Sequence, residues 1–321
     1  MRISELLTLF DIGSNAVRCI LVELTPGNGF AVLRQERGQT RLGGGCAGAL
    51  PKPAIEDTVE IIRDFLQEIH AEVSGGQQTR VLAVATAAVR DAPNRNDLLY
   101  RLQRETGITV RVLSGKEEAR LGALAALERL AFSDGVVIDL GGGSLQISRI
   151  QAGSINRVSS IPLGAVRTTK RFLKNDPPSR REVLALREEV RRQVRTLLPA
   201  AREGKSMVGL GGTVRTLASM HIATLDEPRP SRQGFHLWRS DITRLREQLE
   251  VSSARERQRL PGLKMERADI ILAGAVVVEE VMALGGYAAL TVCKDGVRHG
   301  LLLHEVNYGG AEYGRESLPQ S

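Results

Sequence analysis

Aromatic side chains are scarce, with six Phe, four Tyr and one Trp making up 3 % of the 321 residues. A core built by this chain must therefore rest on Leu, Val, Ile and Ala. A surface that stacks unpaired bases on aromatic platforms is also disfavoured. Only three cysteines occur, Cys19, Cys46 and Cys293, far apart and without metal-ligand spacing, so reduced thiols in a cytoplasmic protein are expected. The five histidines (70, 221, 236, 299 and 304) form no H-E-x-x-H and no ligand cluster. No stretch approaches the ~20 apolar residues that span a bilayer, and the first apolar run ends at Asp11, too soon for a signal peptide. A G-x-S-x-G nucleophile, a Walker loop and a G-x-G-x-x-G fingerprint are all missing, which disfavours covalent serine catalysis and a dinucleotide fold. No motif that reads DNA or RNA is present either.

What is present is ordinary in bulk: 42 % hydrophobic and 25 % charged residues, with a net charge of +7. Length and composition suit a soluble protein of two domains. The positive excess lies in Arg-rich stretches at 167–174, 180–181, 187–195 and 255–259. Most alternate with Glu on helical segments and read as solvated faces, although such a field also concentrates polyanions. The alternating-charge helices could also support a homodimer.

One pattern occurs twice, 128 residues apart. Asp11-Ile12-Gly13-Ser14-Asn15 follows the apolar run 6–10, and Asp139-Leu140-Gly141-Gly142-Gly143-Ser144 follows 135–138. Each is succeeded by a second β-rich run, at 17–24 and 145–150. A strand, tight turn and strand of this kind exposes backbone N–H groups that can surround a phosphate. A single copy would read as an ordinary hairpin turn. Two copies, each opening an alternating α/β segment, point to two related domains with a ligand cleft between them.

Around these loops the periodicity predicts strands at 6–35 (three, with a turn at 26–29), 80–85, 110–113, 207–210 and 290–293. Helices are expected at 53–73, up to Thr106, at 114–130, 180–198, 268–283 and 295–307. Residues 38–50 read as irregular and 309–321 as a frayed tail.

Several side chains near the loops could carry chemistry. Ser114 and Glu117 fit a capping box, which assigns Glu117 to the helix end and leaves Glu118 available as a general base. Glu118 also reads as a first-turn acid that favours the helix dipole. Asp11 and Asp139, one per loop, suit Mg²⁺, a hard cation held by oxygen ligands. Arg18 lies seven residues past Asp11, within reach of a phosphate or of a surface ion pair. Gly211-Gly212-Thr213 lies between a strand and a helix and could donate further N–H groups.

Taken together, these residues resemble the exopolyphosphatase/guanosine pentaphosphate phosphohydrolase family, within the actin–hexokinase–Hsp70 superfamily. The resemblance rests on 11–18, 85–92, 114–120, 137–144, 162–167, 211–213, 267–271 and 295–301, and so runs through nearly the whole chain. It implies an α/β protein of two ribonuclease-H-like (actin-like) domains with an interdomain cleft. The division expected is 1–124 and 125–321, with the last helix, about 296–307, packing back on the first domain. It further implies Mg²⁺-dependent removal of a terminal phosphoryl group from inorganic polyphosphate or guanosine pentaphosphate. Carried over by motif, Glu118 resembles the family's base and Asp139 its metal-side carboxylate. Gly142, Gly143 and Ser144 resemble its phosphate loop, and Arg18, Arg90 and Arg267 its phosphate-contacting arginines.

One departure stands out. The family usually reads Gly-Gly-Gly-Ser-Thr-Glu, where this chain has Leu145 and Gln146 after Ser144. The amide oxygen of Gln146 can still serve as a metal ligand but brings no charge, so weaker Mg²⁺ binding is expected. Besides the hydrolase, this leaves a non-hydrolysing sensor of polyphosphate or guanosine polyphosphates as an alternative. A sugar or carboxylate kinase of the same superfamily is a third reading, though no acceptor-side Asp calls for it.

Overall fold

The structure, a computed structural model, describes residues 5–25, 29–44, 48–73, 79–199 and 205–308. Most of the turn expected at 26–29, the tail expected at 309–321, and Cys46 lie outside these residues.

The first half forms a five-stranded sheet in the order β3-β2-β1-β4-β5, from β1 (Glu5–Ile12), β2 (Ala16–Thr25), β3 (Gly29–Gln39), β4 (Arg80–Ala85) and β5 (Val110–Val112). β1 is central, antiparallel to β2 and parallel to β4. Both its faces are covered, which explains why Leu6 to Phe10 is nearly continuous in apolar residues rather than alternating. β3 forms one edge and continues past the expected end at 35. Its wholly polar stretch from Arg34 to Arg37, with three charged residues, blunts a long open edge. Helices α1 (Lys52–Glu72), α2 (Ala87–Arg90) and α3 (Arg95–Thr106) belong to this half. The apolar stripe of α1 at Ile55, Val59, Ile62 and Ile69 is buried with Phe10, Ile12 and Val17.

The second half repeats the plan. β6 (Gly135–Leu140), β7 (Leu145–Gln151), β8 (Ser154–Ile161), β9 (Ser206–Leu210), β10 (His236–Trp238) and β11 (Ala289–Val292) form a six-stranded sheet in the order β10-β11-β9-β6-β7-β8. β6 is antiparallel to β7 and parallel to β9, as β1 is to β2 and β4. The helices here are α5 (Ala165–Phe172), α6 (Arg180–Val194), α7 (Gly211–Ile222), α8 (Arg239–Glu250), α9 (Ala254–Arg257) and α10 (Ile271–Gly285). α10 is apolar apart from two residues and is buried along nearly its whole length. Its two acidic residues, Glu279 and Glu280, are held by Arg187, Arg191 and Arg246. Removing one partner of such a buried set leaves an uncompensated charge, and a loss of about 3–5 kcal/mol is typical. The helix expected from 268 begins at Ile271, because 265–267 form a short 3₁₀ turn.

Two helices tie the halves together. α4 (Gly115–Arg129) packs Leu121 with the first sheet's Leu7, Leu9 and Val84, and packs Ala123 and Ala126 with Val137, Val208 and Leu210 of the second. A division at 124/125 thus falls inside a helix that both cores share. α11 (Val297–Tyr308) returns from β11 to the first sheet, where Leu301 and Leu302 join Leu7, Ile20 and Val22. Two faces explain why α4 shows little amphipathic character. Its small Ala and Gly residues let it lie close to a sheet on each side.

Candidate active site

Both glycine-bearing turns close in the same way. The Gly13 N–H donates to Ala16 O (3.1 Å), and the Gly141 N–H donates to Ser144 O (3.0 Å). The strands flanking them are in matching register, with Asp11 opposite Arg18 and Asp139 opposite Gln146. Gln146 therefore holds, in the second half, the place that Arg18 holds in the first. The turns also meet. Ser14 lies so close to Gly142 and Gly143 that a Cβ on either glycine would approach it to 2.8 Å. Bulkier residues there would push the halves apart.

Between the turns lies a cavity of about 410 Å³ whose wall includes Asp11, Gly13, Ser14, Asn15, Arg18, Glu118, Asp139, Gly141 to Ser144, Gln146, Gly212 and Arg267. Most of the residues singled out from the sequence are thus brought to one place, from both sheets and from α4. Two are not on the wall. Arg90 stands behind Glu118, ion-paired with its carboxylate and donating to Leu113 O (3.0 Å). Thr213 is buried under the first turn of α7, its side chain against Gly274 of α10.

α4 aims Glu118 into the cavity. The capping box forms as expected: Ser114 Oγ accepts from the Glu117 N–H (3.2 Å) and Glu117 accepts from the Ser114 N–H (2.7 Å). Glu117 is spent on the helix end, while Glu118, 6 % exposed, is left facing the cleft. Burial pushes its carboxyl up to about 7, against the pull of Arg90 and with a further push from Asp139 and Asp11. Asp139 is likewise pushed up to about 6, chiefly by desolvation, with Arg215 opposing and Asp11 adding.

Gln146, expected as an oxygen ligand, is turned the other way. Its amide nitrogen donates to Ser144 Oγ (2.6 Å), Ser160 Oγ (3.1 Å) and Glu118 Oε2 (3.4 Å). In this arrangement it is a hydrogen-bond partner of Glu118. Asp11 and Asp139 remain as the wall's candidate ligands for a hard cation. Among the described residues no group of three or more His, Cys, Asp or Glu side chains lies close enough to hold a metal by itself. Two carboxylates suit Mg²⁺, which takes its remaining oxygens from water and substrate phosphates.

Four arginines face the same space. Arg18 pairs with Asp11 (3.3 Å), and Arg298 approaches the same carboxylate (3.7 Å). Arg267 lies against Gly212, where a Cβ would overlap its guanidinium. Arg215 donates to Gly211 O (3.2 Å) and Lys294 O (3.0 Å). Arg215 and Arg267 are both pulled down to about 10, first by burial and then by neighbouring arginines. Half-buried guanidinium groups that repel one another without a full complement of carboxylates make a site for an anion. Arg215, Arg298 and Lys294 were not singled out from the sequence. The available signal was spacing: Arg215 is four residues after Gly211 on a helix, and Arg298 follows Asp295-Gly296 at the start of another.

The Ppx/GppA phosphatase family profile matches residues 20–308. The chain belongs to this family. It is 35 % identical over 320 residues to an uncharacterized Streptomyces coelicolor protein, with 95 % of this chain and 91 % of that one covered. To exopolyphosphatase 1 of Mycobacterium leprae it is 32 % identical, with 94 % and 89 % covered. Among solved structures, the Ppx/GppA family member of Aquifex aeolicus superposes with a TM-score of 0.78 at 28 % identity, covering 97 % of this chain and all of that one. The protein has the two-domain, actin-like α/β fold of these structures, and it is a phosphoanhydride hydrolase. Among the described residues no helix is long and apolar enough to cross a membrane.

Proposed function

We propose that this Ppx/GppA phosphatase removes the terminal phosphoryl group of inorganic polyphosphate, with guanosine pentaphosphate as a second substrate presenting the same anhydride, in the cytoplasm. The observation that carries this reading is the single cavity into which two glycine turns, four arginines and the raised carboxylate of Glu118 all face.

In this proposal the terminal phosphate is cradled by backbone N–H groups of the turns at 13–15 and 141–144, with Arg18, Arg215, Arg267 and Arg298 around its oxygens. Asp11 and Asp139 would hold Mg²⁺, which when bound neutralises charge on the anhydride oxygens. Glu118 takes a proton from water as the water oxygen bonds to phosphorus. The bond from phosphorus to the bridging oxygen breaks, orthophosphate forms, and the shortened chain leaves with the electron pair. Arg90 and Gln146 both donate to one oxygen of Glu118, Oε2, and so fix the carboxylate's orientation. A base with a value near 7 suits a reaction at neutral pH. Positioning and charge neutralisation supply most of the acceleration in phosphoryl transfer. Exopolyphosphatase relatives support the substrate, and nothing in the comparisons favours a sensor.

The test is orthophosphate release from long-chain polyphosphate and from guanosine pentaphosphate, with Mg²⁺ titrated and Glu118→Gln as control. Release that is lost in the control supports the reading. Release unaffected by Glu118→Gln would remove Glu118 as the base.

A further inference from the structure

A second cavity, of about 440 Å³, opens beside the first and shares Lys294 with it. Its wall also carries Arg229, Arg232 and Ser219 and, among the described residues, no carboxylate or aromatic side chain. The two cavities follow one helix. Arg215 faces the first, and Ser219, one turn further along α7, faces the second. A rise of 1.5 Å per residue separates the two positions by about 6 Å. Polar contacts join them: Arg232 donates to Ser219 Oγ (3.1 Å), Ser219 Oγ donates to Arg215 O (2.9 Å), and Arg215 donates to Lys294 O (3.0 Å). Arg232 is also near enough for its charge to act on half-buried Arg215.

The positive groups here have little local compensation. Arg229 has, among the described residues, one ion-pair partner, the exposed Glu227 (3.2 Å). Among the described residues the side chain of Arg232 bonds only Ser219, and the Lys294 ammonium bonds no carboxylate. Three cations at the exit of a phosphate cleft, on a wall without a stacking surface, match an extended row of phosphates better than a nucleoside.

We infer that this second cavity is a distal subsite that binds the phosphates of the polyphosphate chain following the one being removed, through Arg229, Arg232 and Lys294. The inference rests on the proposed hydrolysis of polyphosphate in the first cavity. It makes the enzyme selective for chains long enough to span both cavities.

The test compares Michaelis constants for tripolyphosphate and for long-chain polyphosphate in the wild type, in Arg229→Ala/Arg232→Ala and in Arg229→Lys/Arg232→Lys. Loss of two charge-assisted phosphate contacts should raise the long-chain KM about tenfold or more, with kcat held. The tripolyphosphate KM should rise several-fold less, and the lysine pair should recover most of the long-chain affinity. Equal rises for both substrates, or no change for either, would overturn the subsite. A wild type that releases no phosphate would instead remove the hydrolase reading. The subsite would then be decided by calorimetric titration with long-chain polyphosphate: affinity lost in the alanine pair supports it, and unchanged affinity overturns it.

Discussion

Replacing Glu118 by Gln keeps the side chain's shape and removes a carboxylate that the fold buries, so activity and stability should move in opposite directions. The carboxyl sits near 7 in the folded protein against about 4.5 in an unfolded chain. Between those values the folded protein holds a proton that the unfolded chain has released, so stability falls as pH rises through that window. At 1.36 kcal/mol per unit, the full penalty above neutrality is about 3 kcal/mol. Gln carries no such penalty, but it takes from Arg90 the buried one of its two anionic partners. That offsets part of the gain, although Arg90 keeps Leu113 O and Asp91. The expected outcome is a thermal midpoint a few degrees above wild type near pH 8, shrinking to no gain near pH 4.5, alongside a ~10²–10⁴-fold loss of kcat. Thermal scans across this range, paired with phosphate release, measure both. A destabilisation of equal size at both pH values would refute the reasoning. It would mean that Glu118 serves the fold chiefly as an anchor for Arg90.

Gln146→Glu places a carboxylate where an amide nitrogen now stands 3.4 Å from Glu118. It should lower the Mg²⁺ concentration for half-maximal activity and, because a like charge raises a carboxyl, shift the acid limb of the pH–rate profile upward. Magnesium titrations at several pH values check both effects. Gly212→Ala drives a Cβ into the Arg267 guanidinium, so KM should rise about tenfold or more, as for Arg267→Ala. The double variant should be no worse than Arg267→Ala alone, a strong departure from additivity. Arg37 pairs with Glu266 (2.8 Å) and Arg41 with Asp269 (3.3 Å), joining the two halves beside Arg267. Removing both arginines should raise KM a few-fold at low salt, since exposed pairs contribute at most ~1 kcal/mol each. Kinetics above about 0.5 M salt should erase the difference.

The legible part of this protein is the part written in short sequence segments. Asp11-Ile12-Gly13 and Asp139-Leu140-Gly141 each follow a strand and precede another, so a repeated hairpin, and with it the fold, can be read directly. The Ser114–Glu117 box likewise separates the capping acid from Glu118 by local spacing alone. What could not be read is what depends on partners distant in the chain. Arg90 resembles a phosphate contact, but its position behind α4 gives it to Glu118. Thr213 looks available after two glycines, yet the first turn of α7 directs it toward α10.

Gln146 shows the same division most clearly. Its replacement of a family carboxylate is a fact of sequence. That its amide nitrogen faces Ser144, Ser160 and Glu118 follows only from the meeting of β7, β8 and α4. Sequence by itself determined the repeated turns, the helix cap and family membership, because backbone geometry and glycine placement act over a few residues. Tertiary structure decided which charges share a cavity, which are spent on one another, and how far burial shifts them. Electrostatic effects of that kind depend on distance and desolvation through space, and both are set only when the two halves close on α4 and α11.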